Sequence, residues 1–179
     1  GAQRARTRPG GHARRMKSPW LAHYPPGVAP QAEVDVYPSV CALLEESFAR
    51  HARRDALACM DTRLTFGDVD RLSTALAAWL RSKALARGSR VAVMMPNLPQ
   101  YLVTIAAILR AGCAVVNVNP LYTARELAHQ LGDSGAAAIV VLENFAGTLE
   151  ECIDETAVQH VLLASVGDLL GFWKGRLYT

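Results

Sequence analysis

Four short apolar runs, spaced by helix-length segments, constrain this chain more than any other feature. They are Arg90–Met95 (RVAVMM), Ala114–Val118 (AVVNV), Ala137–Leu142 (AAIVVL) and His160–Ala164 (HVLLA). Each is too short for a helix and nearly uninterrupted by polar residues, the pattern of a strand buried on both faces. Helical signals fill the gaps. Asn97 stands as a cap before an apolar segment from about Leu98 to Ala111, with Gly112 as its stop. Thr123 and Glu126 form capping-box spacing for a helix to Leu131, closed by Gly132. Asn144 to about Asp154 reads as a further helix with Leu149, Cys152 and Ile153 inward. Strand and helix in strict alternation imply right-handed crossovers. The fold class is therefore α/β, a mostly parallel sheet with helices on both faces.

The segment before these runs is built differently. Ser39 caps a helical stripe of Val40, Leu43, Leu44 and Phe48, and Arg50, Arg53 and Arg54 crowd its end, where they suit the helix dipole. Leu57–Met60 and Arg63–Thr65 flank Asp61-Thr62 as a hairpin candidate. Thr65 and Asp68 repeat the capping-box spacing ahead of a stripe of Val69, Leu72, Leu76, Trp79 and Leu80, which Gly88 ends or follows. Residues 20–38 hold four prolines and no period, and read as an extended lead-in.

Charge separates the start of the chain from the rest. The net charge is +3, but residues 1–17 carry Arg4, Arg6, Arg8, Arg14, Arg15 and Lys17 and no acid. Removing those six leaves 13 basic and 16 acidic residues, a balance of −3. Three parts follow: a disordered basic leader over 1–15, a Pro-rich extended lead-in over 16–38, and an α/β domain over 39–179. The leader reads as a disordered tail or as sequence upstream of a true start at Met16. An acidic-lipid or nucleic-acid contact and a transit peptide are weaker readings, and no nucleic-acid partner is expected. With 51% hydrophobic residues in 179, one domain has enough apolar surface for a core. No apolar run reaches the ~20 residues of a membrane-spanning helix.

Reactive constellations do not emerge from the residues. Cys41, Cys59, Cys113 and Cys152 lie far apart without metal-ligand spacing, and read as small buried thiols. His12, His23, His51, His129 and His160 have no partner suggesting an activated nucleophile, and read as exposed or locally bonded. Glu150, Glu151, Asp154 and Glu155 read as a solvated helix face. No glycine loop of the dinucleotide-binding or P-loop kind follows a strand. No catalytic residue and no metal site is assigned. What remains is the turn after AVVNV, at the carboxyl end of a strand, the edge where ligands sit in open α/β sheets.

Two strings resemble core motifs of the adenylate-forming superfamily: Leu64-Thr65-Phe66-Gly67-Asp68-Val69 and the run Ile108–Val116 (ILRAGCAVV). WLAHYP (20–25), RVAVMMPNLPQY (90–101), VVNVNPLYTARELAHQLGDSGAAAIV (115–140) and TAVQHVLL (156–163) are similar to bacterial long-chain fatty acyl-CoA synthetases in particular. The resemblance runs from about Met16 to Lys174 and makes 39–179 a partial N-terminal domain of an AMP-dependent synthetase/ligase.

It implies activation of a long-chain fatty acid with ATP and Mg²⁺ through an acyl-adenylate, then transfer to coenzyme A. It also implies a cytoplasmic protein, with room for peripheral contact at the inner membrane and for a homodimer. The family's phosphate loop, roughly T-S-G-T-T-G-x-P-K, and its C-terminal lysine domain are not among these residues. The expectation is an N-terminal fragment, inactive alone. The alternative is a non-catalytic interaction module that kept the fold. In related CoA ligases the loop after Asn-Pro lies near the coenzyme A nucleotide, and some relatives carry an arginine after the proline. Leu121 holds that position here, and Asn119, Leu121 and Tyr122 are the ligand-proximal residues the resemblance suggests.

Overall fold

The computed structural model describes residues 18–33 and 35–170. The leader expected over 1–15 lies outside them. Contacts divide the chain into two units, Gly1–Val36 and Tyr37–Thr179. The described part of the first holds one short 3₁₀ turn, Pro19–His23, with no buried residue in it. The other described residues of the lead-in form only turns, bends and extended backbone, as its prolines favour.

The second unit runs α1 (Val40–Arg50), β1 (Asp55–Cys59), β2 (Thr62–Thr65), α2 (Phe66–Ser82), β3 (Arg90–Met94), α3 (Pro99–Arg110), β4 (Ala114–Val118), α4 (Ala124–Ser134), β5 (Ala138–Leu142), α5 (Ala146–Glu150) and β6 (His160–Ala164). The four apolar runs form one parallel sheet in the order β4-β3-β5-β6. Numbering β3 as the first strand gives 2-1-3-4, the doubly wound order, and the direction of winding reverses between β3 and β5. Strands β1 and β2 form a separate antiparallel hairpin.

Continuous burial along β3 and β5 follows from helices on both faces. Val91, Val93, Val140 and Leu142 point into one core with Leu80, Ala107 and Ile108. Ala92, Met94, Ile139 and Val141 point into the other, against Leu127, Leu131 and Leu149. A third cluster joins Phe48, Val69, Val103 and Ala106 beneath Leu57 and Leu64 of the hairpin. Arg110 ties the three long upstream helices together. Its guanidinium donates to the Asp70 carboxylate (2.5 Å), the Ser73 hydroxyl (2.9 Å) and the Thr74 hydroxyl (2.7 Å), and lies 5.0 Å from the Phe48 ring centre. Glu45 of α1 stands 3.7 Å from its Nε.

The helix starts at Ser39, Thr65 and Thr123 form as expected. Ser39 accepts from the Ala42 N–H, and both threonines complete reciprocal capping boxes. Several boundaries differ. Asn97 is not a cap: Leu98 occupies that place without a side-chain bond, and Pro99 starts α3. Proline's fixed φ and missing N–H suit the first turn, so no polar cap is needed.

Helix α2 ends at Ser82, where Ala84 turns left-handed (φ 55), well before Gly88. Helix α4 runs through Gly132 to Gly135, whose φ of 58 ends it, with the Ala136 and Gly135 N–H groups bonded to Leu131 and Gly132. The hairpin turns at Met60-Asp61, both with positive φ, rather than at Asp61-Thr62. The helix expected over 144–154 is broken into a 3₁₀ turn at Glu143–Phe145, the five-residue α5 and a second turn at Ile153–Glu155. Leu149 and Cys152 are buried there, while Ile153 is only half-buried.

Candidate functional site

The turn between β4 and α4 is set by its own sequence. The Asn119 side-chain oxygen accepts from the Leu121 N–H (3.1 Å), and the Asn119 carbonyl accepts from the Tyr122 N–H (3.2 Å). Such an Asx turn reverses the chain within four residues. Asn119 thus spends its acceptor on the turn. Leu121 stands 82% exposed and Tyr122 packs half-buried on the core of the α4 face.

Tyr122 opens onto a concave surface of about 780 Å³ running along α4, lined further by Arg125, His129, Gln130 and Asp133. Arg125 and His129, one helical turn apart, also border a second hollow of about 470 Å³ against Glu151 and Glu155. Of the three suggested residues, the structure brings Tyr122 into the concavity and leaves Asn119 and Leu121 out of its lining. Edge strand β4 is pinned from two helices. The Tyr101 hydroxyl donates to the Asn117 side chain (2.9 Å), and the Gln130 amide donates to the Asn117 carbonyl (2.9 Å).

Thr123 does not present a free hydroxyl. It donates to Glu126 Oε2 (2.8 Å), while its backbone N–H donates to the same oxygen (2.9 Å). These bonds, the backbone one first, hold the Glu126 carboxyl below its ordinary range. A carboxylate therefore already sits on the N-terminus of α4, the place an incoming phosphate would otherwise favour.

Against this geometry, the family model described as AMP-binding enzyme matches residues 44–173. The chain belongs to the AMP-binding enzyme family. Among curated AMP-binding relatives, the long-chain-fatty-acid–CoA ligase of Escherichia coli O157:H7 is 52% identical over 163 residues, 90% of this chain and 29% of the relative. That of Salmonella typhimurium strain LT2 is 50% identical over the same shares. The chain thus spans about three-tenths of the length of these relatives. A solved long-chain-fatty-acid–CoA ligase from Archaeoglobus fulgidus shares the fold with a TM-score of 0.66, at 24% identity, over 70% of this chain and 27% of that one.

Among the described residues no group of three His, Cys, Asp or Glu side chains could hold a metal ion. No sequence resembling the family's phosphate loop occurs anywhere in the 179 residues. Cys113 and Cys152 are buried, and burial pushes both thiols up, as it does Cys41, which is only half-buried, as is Cys59. Raised thiols stay protonated and unreactive. Glu150, Glu151, Asp154 and Glu155 are exposed, as expected of a solvated face. Sequence reasoning missed Arg125, His129 and Gln130. Their spacing along α4 was the available signal, because residues three and four apart share a face, as Tyr122 with Arg125, Arg125 with His129 and Glu126 with Gln130 do.

Proposed function

We propose that this chain is the N-terminal scaffold of a long-chain fatty acid–CoA ligase. In that protein a fatty acid is activated with ATP and Mg²⁺ as its acyl-adenylate, and the acyl group passes to coenzyme A. The carrying observation is the 52% identity over 90% of the chain to a ligase of that name. Residues 39–179 are assigned to the partial N-terminal α/β domain, with 1–15 as leader and 16–38 as lead-in.

No phosphate-loop sequence occurs in the 179 residues, and the described residues hold no group of three metal-ligating side chains, so no chemical step is assigned to them. Their work is positional. Asn119 fixes the turn, Thr123 and Glu126 anchor α4, and Tyr122 offers an aromatic face at the head of the concavity. Arg125 supplies a cation there, while Glu126 keeps anions from the helix start. The ligand suited to this surface is the neutral, stacking part of coenzyme A rather than its phosphates. The protein is placed in the cytoplasm, with peripheral contact at the inner membrane. No helix among the described residues is long and apolar enough to cross a membrane.

The test is a chimera joining this chain to the remainder of the Escherichia coli ligase. It should show palmitate- and CoA-dependent pyrophosphate release, and Tyr122→Ala in it should raise the KM for coenzyme A more than that for ATP or palmitate. The 179-residue chain alone should release none. A folded chimera without activity, or pyrophosphate release by the 179-residue chain, overturns the proposal.

A further inference from the structure

The lead-in ahead of the α/β unit carries apolar side chains that it does not bury. The 3₁₀ turn Pro19–His23 holds no buried residue. Trp20 stands 53% exposed, and Leu21, Tyr24 and Val28 are exposed with it. Single apolar residues are ordinary on a surface, but here four fall within residues 20–28, two of them aromatic.

The backbone that carries them is already set. The Leu21 N–H donates to the Ser18 carbonyl (3.1 Å), and the Tyr24 N–H donates to the Leu21 carbonyl (3.3 Å). The Val28 N–H donates to the Pro25 carbonyl (3.2 Å) across a turn in which Gly27 has a φ of 89. Pro19, Pro25, Pro26 and Pro30 each fix a further φ. A segment held this way loses little conformational freedom when it docks.

Charge names the partner. Residues 1–17 carry six basic side chains, and no Asp or Glu occurs before Glu33. Lys and Arg are drawn to the negative surface of a leaflet that contains acidic phospholipid. Trp and Tyr settle at the level of the head groups, where an apolar ring and a polar edge are both accommodated. Nucleic acid would use the same cations and could stack on the rings, but it has no use for the aliphatic Leu21 and Val28. An apolar anchor or a basic stretch alone binds a bilayer weakly, and the two joined bind it stably.

We propose that residues 1–28 dock on an acidic phospholipid bilayer, with Trp20, Leu21, Tyr24 and Val28 entering the head-group layer and the basic side chains of 1–17 over the lipid phosphates. This gives a place and a lipid class to the peripheral contact proposed above and rests on that reading. Vesicle binding needs no acyl transfer, so an inactive chimera and an unbound vesicle are separate failures.

Co-sedimentation of the 179-residue chain with vesicles tests it, comparing phosphatidylcholine mixed with phosphatidylglycerol against phosphatidylcholine alone. Binding to the mixed vesicles is expected, weaker by about tenfold or more on phosphatidylcholine alone and falling as salt rises. Trp20→Ala combined with Tyr24→Ala should weaken it by roughly tenfold or more. Both side chains are exposed, so the melting temperature of that variant should stay within a few degrees of wild type. Arg14→Gln, Arg15→Gln and Lys17→Gln together should weaken binding roughly fivefold for each charge removed. Trp20 emission, read as the difference between wild type and Trp20→Phe at saturating lipid, should move to shorter wavelength. Four results overturn the proposal: no binding to the mixed vesicles, equal binding to both compositions, full binding by the Trp20→Ala, Tyr24→Ala variant, or displacement by duplex DNA with an unshifted emission. The last would make the basic stretch a nucleic-acid contact.

Discussion

Among the described residues a threonine-headed capping box opens an α-helix twice, at Thr65–Asp68 and at Thr123–Glu126, and the two have different surroundings. The first is knitted into the fold. Gly67 donates its N–H to the Ala52 carbonyl (2.9 Å), Phe66 donates to Arg54, and Val69 is fully buried one residue after the box. Its side-chain bonds are half-buried. The second box is exposed, starts one helix, and borders the concavity that Tyr122 opens. One local motif can therefore lock several elements together or simply start a helix beside a ligand surface, and its four letters do not say which.

The sharpest way to break this contrast is at Gly67. A Cβ there would meet the Ala52 carbonyl oxygen at 3.0 Å, and a backbone atom cannot rotate away. Gly67→Ala should lower stability by about 1–3 kcal/mol, the range for overpacking a tight site, as read by urea melts. Gly132 has open space around its added Cβ and sits inside α4, so Gly132→Ala should stabilise by about 0.5–1 kcal/mol in the same melts.

The caps come next. Thr65→Ala should cost toward the upper end of the ~0.5–2 kcal/mol expected for a lost cap, and Thr123→Ala toward the lower end. Thr123→Ser should be nearly silent, and in the active chimera none of these changes at Thr123 should alter kcat more than about twofold. A rate loss of roughly 10²-fold with an unchanged melt would make Thr123 a catalytic donor.

Acid should erase the smallest differences. Hydrogen bonds from Thr65, side chain first, hold Asp68 below its ordinary range, as those from Thr123 hold Glu126. A depressed carboxyl stabilises the fold above its unfolded pKa, near 4, and that contribution fades as pH falls through the folded value. The difference in melting temperature between wild type and Glu126→Ala should therefore narrow below about pH 4. A gap that stays constant to pH 2 would falsify the box as a charged interaction.

Much of the fold was legible because its signals are local. Both boxes, Ser39 and the four apolar runs declare themselves within a few residues. The misplaced boundaries show where local reading fails. Asn97 has the right side chain, but Pro99 makes a cap unnecessary. In LGDSG either glycine could stop α4, and only the packing of Leu131 selects Gly135. Ala84 takes a left-handed turn that no propensity favours. The strand order depends on which edge each crossover returns to, which no residue encodes by itself. Of the candidate site, the Asx turn at Asn119 is inherent in Asn-Pro, whereas the joining of Tyr122 with Arg125 and His129 needed the axis of α4 in place.

The order β4-β3-β5-β6 also bears on how the sheet can be made as the chain leaves a ribosome. Domains form from the N-terminal end during synthesis. Strand β3 emerges first and becomes a centre with two open sides. β4 takes one side, β5 takes the other, and β6 then lies along β5. Every newcomer joins a free margin, and no pair already zipped has to open to admit a later strand. The winding that reverses between β3 and β5 is the same winding that lets translation lay the sheet down outward, one crossover at a time.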